Sequence, residues 1–115
     1  MYDIEYTSNF KNQFKRLLKK YPKSEDEFKE VFEELENGNL IGTAYDNLGL
    51  KEGEDVYKVM VANIDANRSA KNGFRMIYYA IKNDELIYML AVYSKKEVSN
   101  IKQSEVKELI RKYCK

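Results

Sequence analysis

The 115 residues predict an α+β domain: an antiparallel four-stranded sheet packed against an N-terminal helix hairpin, in the order β-α-α-β-β-β with a short C-terminal helix. Three observations carry that expectation. Two consecutive apolar stripes of helical period run from Phe10 to Leu35. Two runs dense in β-branched and aromatic residues, "FRMIYYAIK" and "LIYMLAVY", are separated only by "NDE". The chain opens on "YDIEY", in which Tyr2, Ile4 and Tyr6 alternate with Asp3 and Glu5, the period of a half-buried strand.

After that first strand, Thr7 or Ser8 can cap a helix whose Phe10, Phe14, Leu17, Leu18 and Tyr21 share one face. Pro22 interrupts it. "SEDE" at Ser24–Glu27 reads as a capping box, with Ser24 at the N-cap and Glu27 reaching back. Phe28, Val31, Phe32 and Leu35 form the stripe of a second helix that Asn37-Gly38 ends. So short a link implies an antiparallel pair. Residues 38–55 hold Gly38, Gly42, Gly49 and Gly53 among few apolar anchors and read as a long loop. Strands follow at Val56–Ala62, Phe74–Lys82 and Leu86–Tyr93, the last two central by composition. Ser99 or Ser104 can cap a final helix with Val106, Leu109, Ile110 and Tyr113 on its apolar face.

Length bounds the chain to one domain, residues 1–115. No apolar run is long enough to span a bilayer, and no basic-then-apolar leader opens the chain, so a cytoplasmic setting without a membrane partner is expected. There is no histidine and one cysteine, Cys114. Imidazole bases, Ser-His-Asp and Cys-His arrangements and structural zinc are thereby excluded, and no metal or cofactor is expected. Chemistry is left to carboxylate, lysine, arginine and tyrosine. The formal charge of +1 conceals segregation. Residues 8–23 carry six cations and no acid, whereas residues 24–36 carry seven acids against Lys29 alone. A basic face therefore coexists with a near-zero sum.

The segment "NRSAKNGFRMIYYAI" gathers Arg68, Lys71 and Arg75 on a glycine-containing turn and the strand that leaves it. Together with "FKNQFKRLLKKYP", "ELENGNLIGTAYDNLG", "VYKVMVAN" and "IYMLAVYSKKEVSNI", it resembles, in order and over nearly the whole chain, the RelE/ParE superfamily of bacterial type II toxin–antitoxin toxins, on the RelE-like side. The resemblance implies a metal-independent, ribosome-dependent endoribonuclease that cuts messenger RNA in the decoding site, held in check by a cognate antitoxin protein. It aligns Arg75 with the family's strand arginine and Lys96 with the basic position after the last strand, beside Lys95. Arg68 and Lys71 fall on the preceding loop, where the family often has cations. Where some relatives carry an aromatic or a histidine in the C-terminal segment, this chain has Lys102.

Metal-free RNA cleavage sends the 2′-hydroxyl onto the adjacent phosphorus, expels the 5′-oxygen and leaves a cyclic phosphate. Negative charge builds on the phosphoryl oxygens, and a strand-held guanidinium suits it: planar, always charged and bidentate. Arg75 is the candidate for that role, with Lys71 and Lys96 activating. For proton abstraction, clustered cations lower the pKa of a tyrosine or lysine among them, which points to Tyr93 and Lys71; Glu97 is the carboxylate alternative. Arg68, Lys95 and Lys102 are candidate phosphate contacts. Tyr78 and Tyr79 must point to opposite sheet faces, leaving Tyr79 as a candidate for stacking on a base. Two rivals share the fold: a ParE-like inhibitor of DNA gyrase without nuclease chemistry, and an inactive relative that only binds an antitoxin, whose sign is Arg75 buried in a salt bridge.

Overall fold

A computed structural model describes residues 1–98 and 100–114. The elements are β1 (Asp3–Tyr6), α1 (Ser8–Lys20), α2 (Glu25–Glu36), β2 (Thr43–Ala44), β3 (Glu54–Val61), β4 (Phe74–Ile81), β5 (Leu86–Ser94) and α3 (Gln103–Tyr113). The α+β class, the helix hairpin and, apart from the added strand β2, the element order are those the sequence predicts. The sheet has the order β1-β5-β4-β3-β2. It is mixed and five-stranded rather than antiparallel and four-stranded, for two reasons. β1 runs parallel to β5, with Asp3 opposite Leu86 and Tyr6 opposite Met89. Inside the long loop, Thr43 and Ala44 pair with Lys58 and Tyr57. Gly42 permits that approach, since a Cβ there would meet the Lys58 carbonyl at 2.6 Å.

Thr7 resolves the first cap. Its hydroxyl accepts from Phe10 N at 3.2 Å and donates to the Met89 carbonyl at 2.7 Å, tying the helix start to β5. β1 stops at Tyr6, so the next residues of β5 have an open edge. α1 closes it with side-chain amides: Asn9 donates to the Leu90 carbonyl at 2.9 Å, and Gln13 Oε1 accepts from Val92 N at 3.0 Å.

The helices lie antiparallel along an aromatic seam in which Phe14 meets Phe28 at 5.0 Å and Phe10 meets Phe32 at 6.2 Å. Their shared apolar face packs on one side of the sheet with Phe74, Met76, Tyr78, Ile87 and Met89. On the other side α3 and the loop around Leu48 cover Val56, Ile77, Tyr79, Leu90 and Ala91. Among the described residues no helix is long and apolar enough to cross a membrane.

The capping box expected at Ser24–Glu27 does not form as a local motif. Ser24 has helical backbone angles and no cap bond of its own to α2. Its hydroxyl donates to Asp65 Oδ1 at 2.6 Å and accepts from Ile64 N at 3.0 Å, while Lys23 N donates to Asp65 Oδ2 at 2.9 Å. The loop between β3 and β4 thus supplies the carboxylate at the start of α2. Ser104 does not cap α3 either; Lys102 occupies that position without a side-chain bond, and Ser99 lies outside the described residues.

Partial burial alone would raise the Asp65 pKa, but bonds from the Ser24 hydroxyl and from backbone N–H groups outweigh it and hold the carboxyl below its usual range. A depressed folded-state pKa contributes stability that is present above the unfolded value and lost as pH falls through the folded one. Asp65→Asn is therefore expected to flatten the acid limb of a thermal-melt pH profile while leaving the melts at pH 7 and above nearly parallel. An unchanged acid limb would show the carboxylate does not contribute.

Candidate nucleic-acid interface

The candidate site lies at the end of the sheet where β4 begins and β5 ends. Arg75 sits on β4 between Met60 of β3 and Tyr93 of β5, on the face that α3 covers farther along. A β-bulge places Tyr93 there. Ile77 pairs with Ala91 but Tyr78 with Met89, so Leu90 is an extra residue and the alternation of β5 reverses beyond it. Met89 and Ile87 face the helix hairpin; after the bulge Val92 does so, and Tyr93 turns to the side of Arg75.

Arg75 is only 7% exposed, and its guanidinium is held by backbone carbonyls. Nη1 donates to Ala70 at 3.1 Å and Phe74 at 3.2 Å, and Nη2 donates to Lys71 at 2.7 Å. The turn at residues 70–72 therefore folds back onto the strand it precedes. No described carboxylate forms an ion pair with Arg75. Arg75 is buried, as an inactive relative would have it, but no cross-sheet salt bridge to it forms among the described residues. Three of its five N–H donors are engaged within the described residues, leaving Nε–H and one Nη2–H.

Other cations gather around this clamp. Lys71 is exposed on the turn, and Lys95 Nζ reaches the Lys71 carbonyl at 3.4 Å while its backbone N donates to Gly73 O at 3.0 Å. Lys96 is exposed on the same turn after β5. Arg68 is exposed too; its backbone bridges Asn63 across a tight reversal in which Asn67 has a φ of 55°. Lys102 is exposed at the start of α3, one residue after Ile101, whose carbonyl Tyr45 holds.

Gly73 is what brings the two loops together. A Cβ at this position would meet the Val61 carbonyl at 2.2 Å and Asn63 N at 2.8 Å, both backbone atoms that cannot swing aside. Gly73→Ala is expected to push the start of β4 away from β3, at a stability cost of about 1–3 kcal/mol, and to scatter the cations it organises. Equal melting temperatures for the variant and wild type would refute that close approach.

Three expectations need correction. Tyr93 was expected to carry a lowered pKa, and its pKa is raised: burial of the phenol is the largest influence and outweighs the favourable field of Arg75. Its hydroxyl is a buried polar atom without a hydrogen-bond partner among the described residues; the nearby Ile101 N–H favours the phenolate less than Arg75 does, and the Ile101 carbonyl is not its acceptor. That carbonyl instead accepts from Tyr45 Oη at 3.1 Å. Tyr79, expected to be exposed for stacking, is buried under α3 like its neighbour Tyr78 on the other face; its hydroxyl donates to Glu54 Oε1 at 2.8 Å, and burial raises its pKa. Glu97 is exposed, but its carboxylate lies 3.9 Å from Lys20 Nζ of α1, the helix on the opposite face of the sheet from Arg75.

Lys58, Met60 and Tyr45 belong to the same face as Arg75, although no motif in the sequence marks them. Alternation along β3 places Lys58 and Met60 on the Arg75 face with the buried Val56, and Met60 is 49% exposed beside Arg75. Lys58 Nζ stands 6.0 Å from the Tyr45 ring centroid. Burial, with Tyr93 and Glu105 nearby, pushes the Tyr45 pKa up to about 12. The period-2 pattern of "VYKVMV" held the signal, a cation on the same face as Val56, just as "FRMIYY" held Arg75.

No protein-family model matches the sequence, and no curated protein matches it at significant similarity. The geometry itself defines a class: a small α+β domain in which one end of the sheet holds a buried guanidinium on three backbone carbonyls, with Lys71 and Lys96 exposed on the adjoining turns and Glu27 and Glu30 bordering a pocket shared with Ala70 and Met60.

Proposed function

We propose that this chain is the toxin of a bacterial type II toxin–antitoxin pair and cleaves messenger RNA on the ribosome without a metal. The observation that carries the reading is Arg75: a buried guanidinium held by three backbone carbonyls of its strand and the preceding turn, in no ion pair with a described carboxylate, with Lys71 and Lys95 at its side. In this reading Arg75 stabilises charge on the phosphoryl oxygens through its two uncommitted donors, while Lys71, Lys95 and Lys96 bind the flanking phosphates. The raised pKa of Tyr93 removes it as a ready base and leaves it as a wall that fixes Arg75. Lys71 is the remaining candidate for proton transfer by position. The cognate antitoxin would shield this cationic surface with an acidic segment.

The second reading, a ParE-like inhibitor of DNA gyrase, draws on one observation: Tyr93 is buried and Glu97 leans toward α1, so neither is aimed as a base. Cleavage on programmed ribosomes separates the two. Codon-positioned cuts by the wild type and none by Arg75→Ala support the nuclease. A folded wild type that makes no cuts but blocks gyrase supercoiling supports the second reading.

A further inference from the structure

The outward faces of α1 and α2 carry opposite charge. Lys11, Lys15 and Lys19 are exposed along α1, and Asp26, Glu30 and Glu33 along α2. Neighbouring helices of opposite sign ordinarily pair with one another, yet among the described residues no ion pair joins these two. Lys20 reaches Glu97, and none of the α2 acids is engaged by a cation within 4.0 Å. The cause is the aromatic seam: Phe10 and Phe14 against Phe28 and Phe32 fill the contact between the helices and leave both charged rows outside it, with Glu30 and Glu33 also bordering the groove between α2 and β3.

We propose that this hairpin face is a salt-sensitive interface between two copies of the chain. The face is self-complementary by geometry. A twofold axis parallel to the helices lays α1 of one copy across α2 of the other, antiparallel to it, so that each basic row meets an acidic row twice over. Both rows are then used at once, which neither a polyanion on α1 nor a basic protein on α2 achieves. Exposed charges bind weakly and are screened by salt, so the dimer forms at low ionic strength and dissociates as the Debye length shrinks.

Sedimentation velocity tests this directly. At about 10 mM salt the wild type is expected to sediment at twice the 13.6 kDa chain mass, with the dimerisation constant falling at least tenfold, roughly, toward 1 M salt. Two variants give the specific test: Lys11→Glu/Lys15→Glu/Lys19→Glu, with an acidic hairpin, and Asp26→Lys/Glu30→Lys/Glu33→Lys, with a basic one. Each alone is expected to be monomeric, and an equimolar mixture to restore the dimer. Should either fail to fold, Lys15→Glu and Glu30→Lys serve, each weakening the dimer and recovering when mixed. A wild type that stays monomeric at low salt up to about 1 mM chain overturns the proposal, as does a dimer that both variants retain. A monomer that binds single-stranded RNA through α1, lost in the acidic variant, assigns that row to a polyanion and likewise overturns it.

Discussion

Arg75→Ala is expected to lower the rate of messenger-RNA cleavage on programmed ribosomes by about 10²–10³-fold, the usual loss when one fixed donor to a developing oxyanion is removed. The loss should fall on kcat more than on KM, because Lys71, Lys95 and Lys96 still hold the substrate phosphates. Arg75→Lys separates charge from geometry. An ammonium keeps the positive field but cannot serve two phosphoryl oxygens while also holding the carbonyls of Ala70, Lys71 and Phe74, so most of the loss should remain. A structural role alone predicts something else. The Arg75 side chain and its bond to the Phe74 carbonyl are buried, so such a role predicts a stability loss of about 1–3 kcal/mol with activity unchanged well below the melting point. Full activity in a folded Arg75→Ala protein would remove Arg75 from the site.

Phe28→Ala should have the largest effect on stability. Phe28 is fully buried, with ring contacts at 5.0 Å to both Phe14 of α1 and Phe74 of β4, so it joins both helices to the sheet at one point. Truncating a buried phenylalanine destabilises by about 3–5 kcal/mol, through lost transfer free energy and the cavity left among rings that cannot collapse into it. Small domains have about 5–15 kcal/mol in total, so a drop in melting temperature of roughly 10–25 °C is expected, read by circular dichroism. A drop of only a few degrees would show that the aromatic seam relaxes around the void. Because Phe28 lies on the hairpin side of the sheet, activity measured well below the melting point should be largely kept, unlike in Arg75→Ala.

How much of this was legible beforehand differs from element to element. The hairpin helices were plain because Phe10, Phe14, Leu17, Phe28, Val31 and Leu35 repeat at helical spacing, and such a stripe has no use except against a core. The central strands were plain because "FRMIYYAI" and "LIYMLAVY" are apolar on both faces. Arg75 stood out for the same reason, as a cation inside a run that burial otherwise dictates. Local periodicity carries all of these, and it survives any change in the rest of the molecule.

Other features depend on partners distant in the chain. Ser24 reads as a local cap, but its hydroxyl is claimed by Asp65, 41 residues away, because the loop beyond β3 happens to end there. Tyr79 reads as half exposed, but α3 folds over its face. Tyr93 reads as an activated phenol among lysines; the bulge at Leu90 turns it beside Arg75, and burial there raises its pKa. The residues themselves thus determined the α+β class, the order of elements and the cation in the strand, since these follow from spacing and side-chain chemistry. The three-dimensional packing alone decided which carbonyls hold that cation and which hydroxyls lose water, because hydrogen-bond partners and desolvation belong to the assembled surface and not to the chain order.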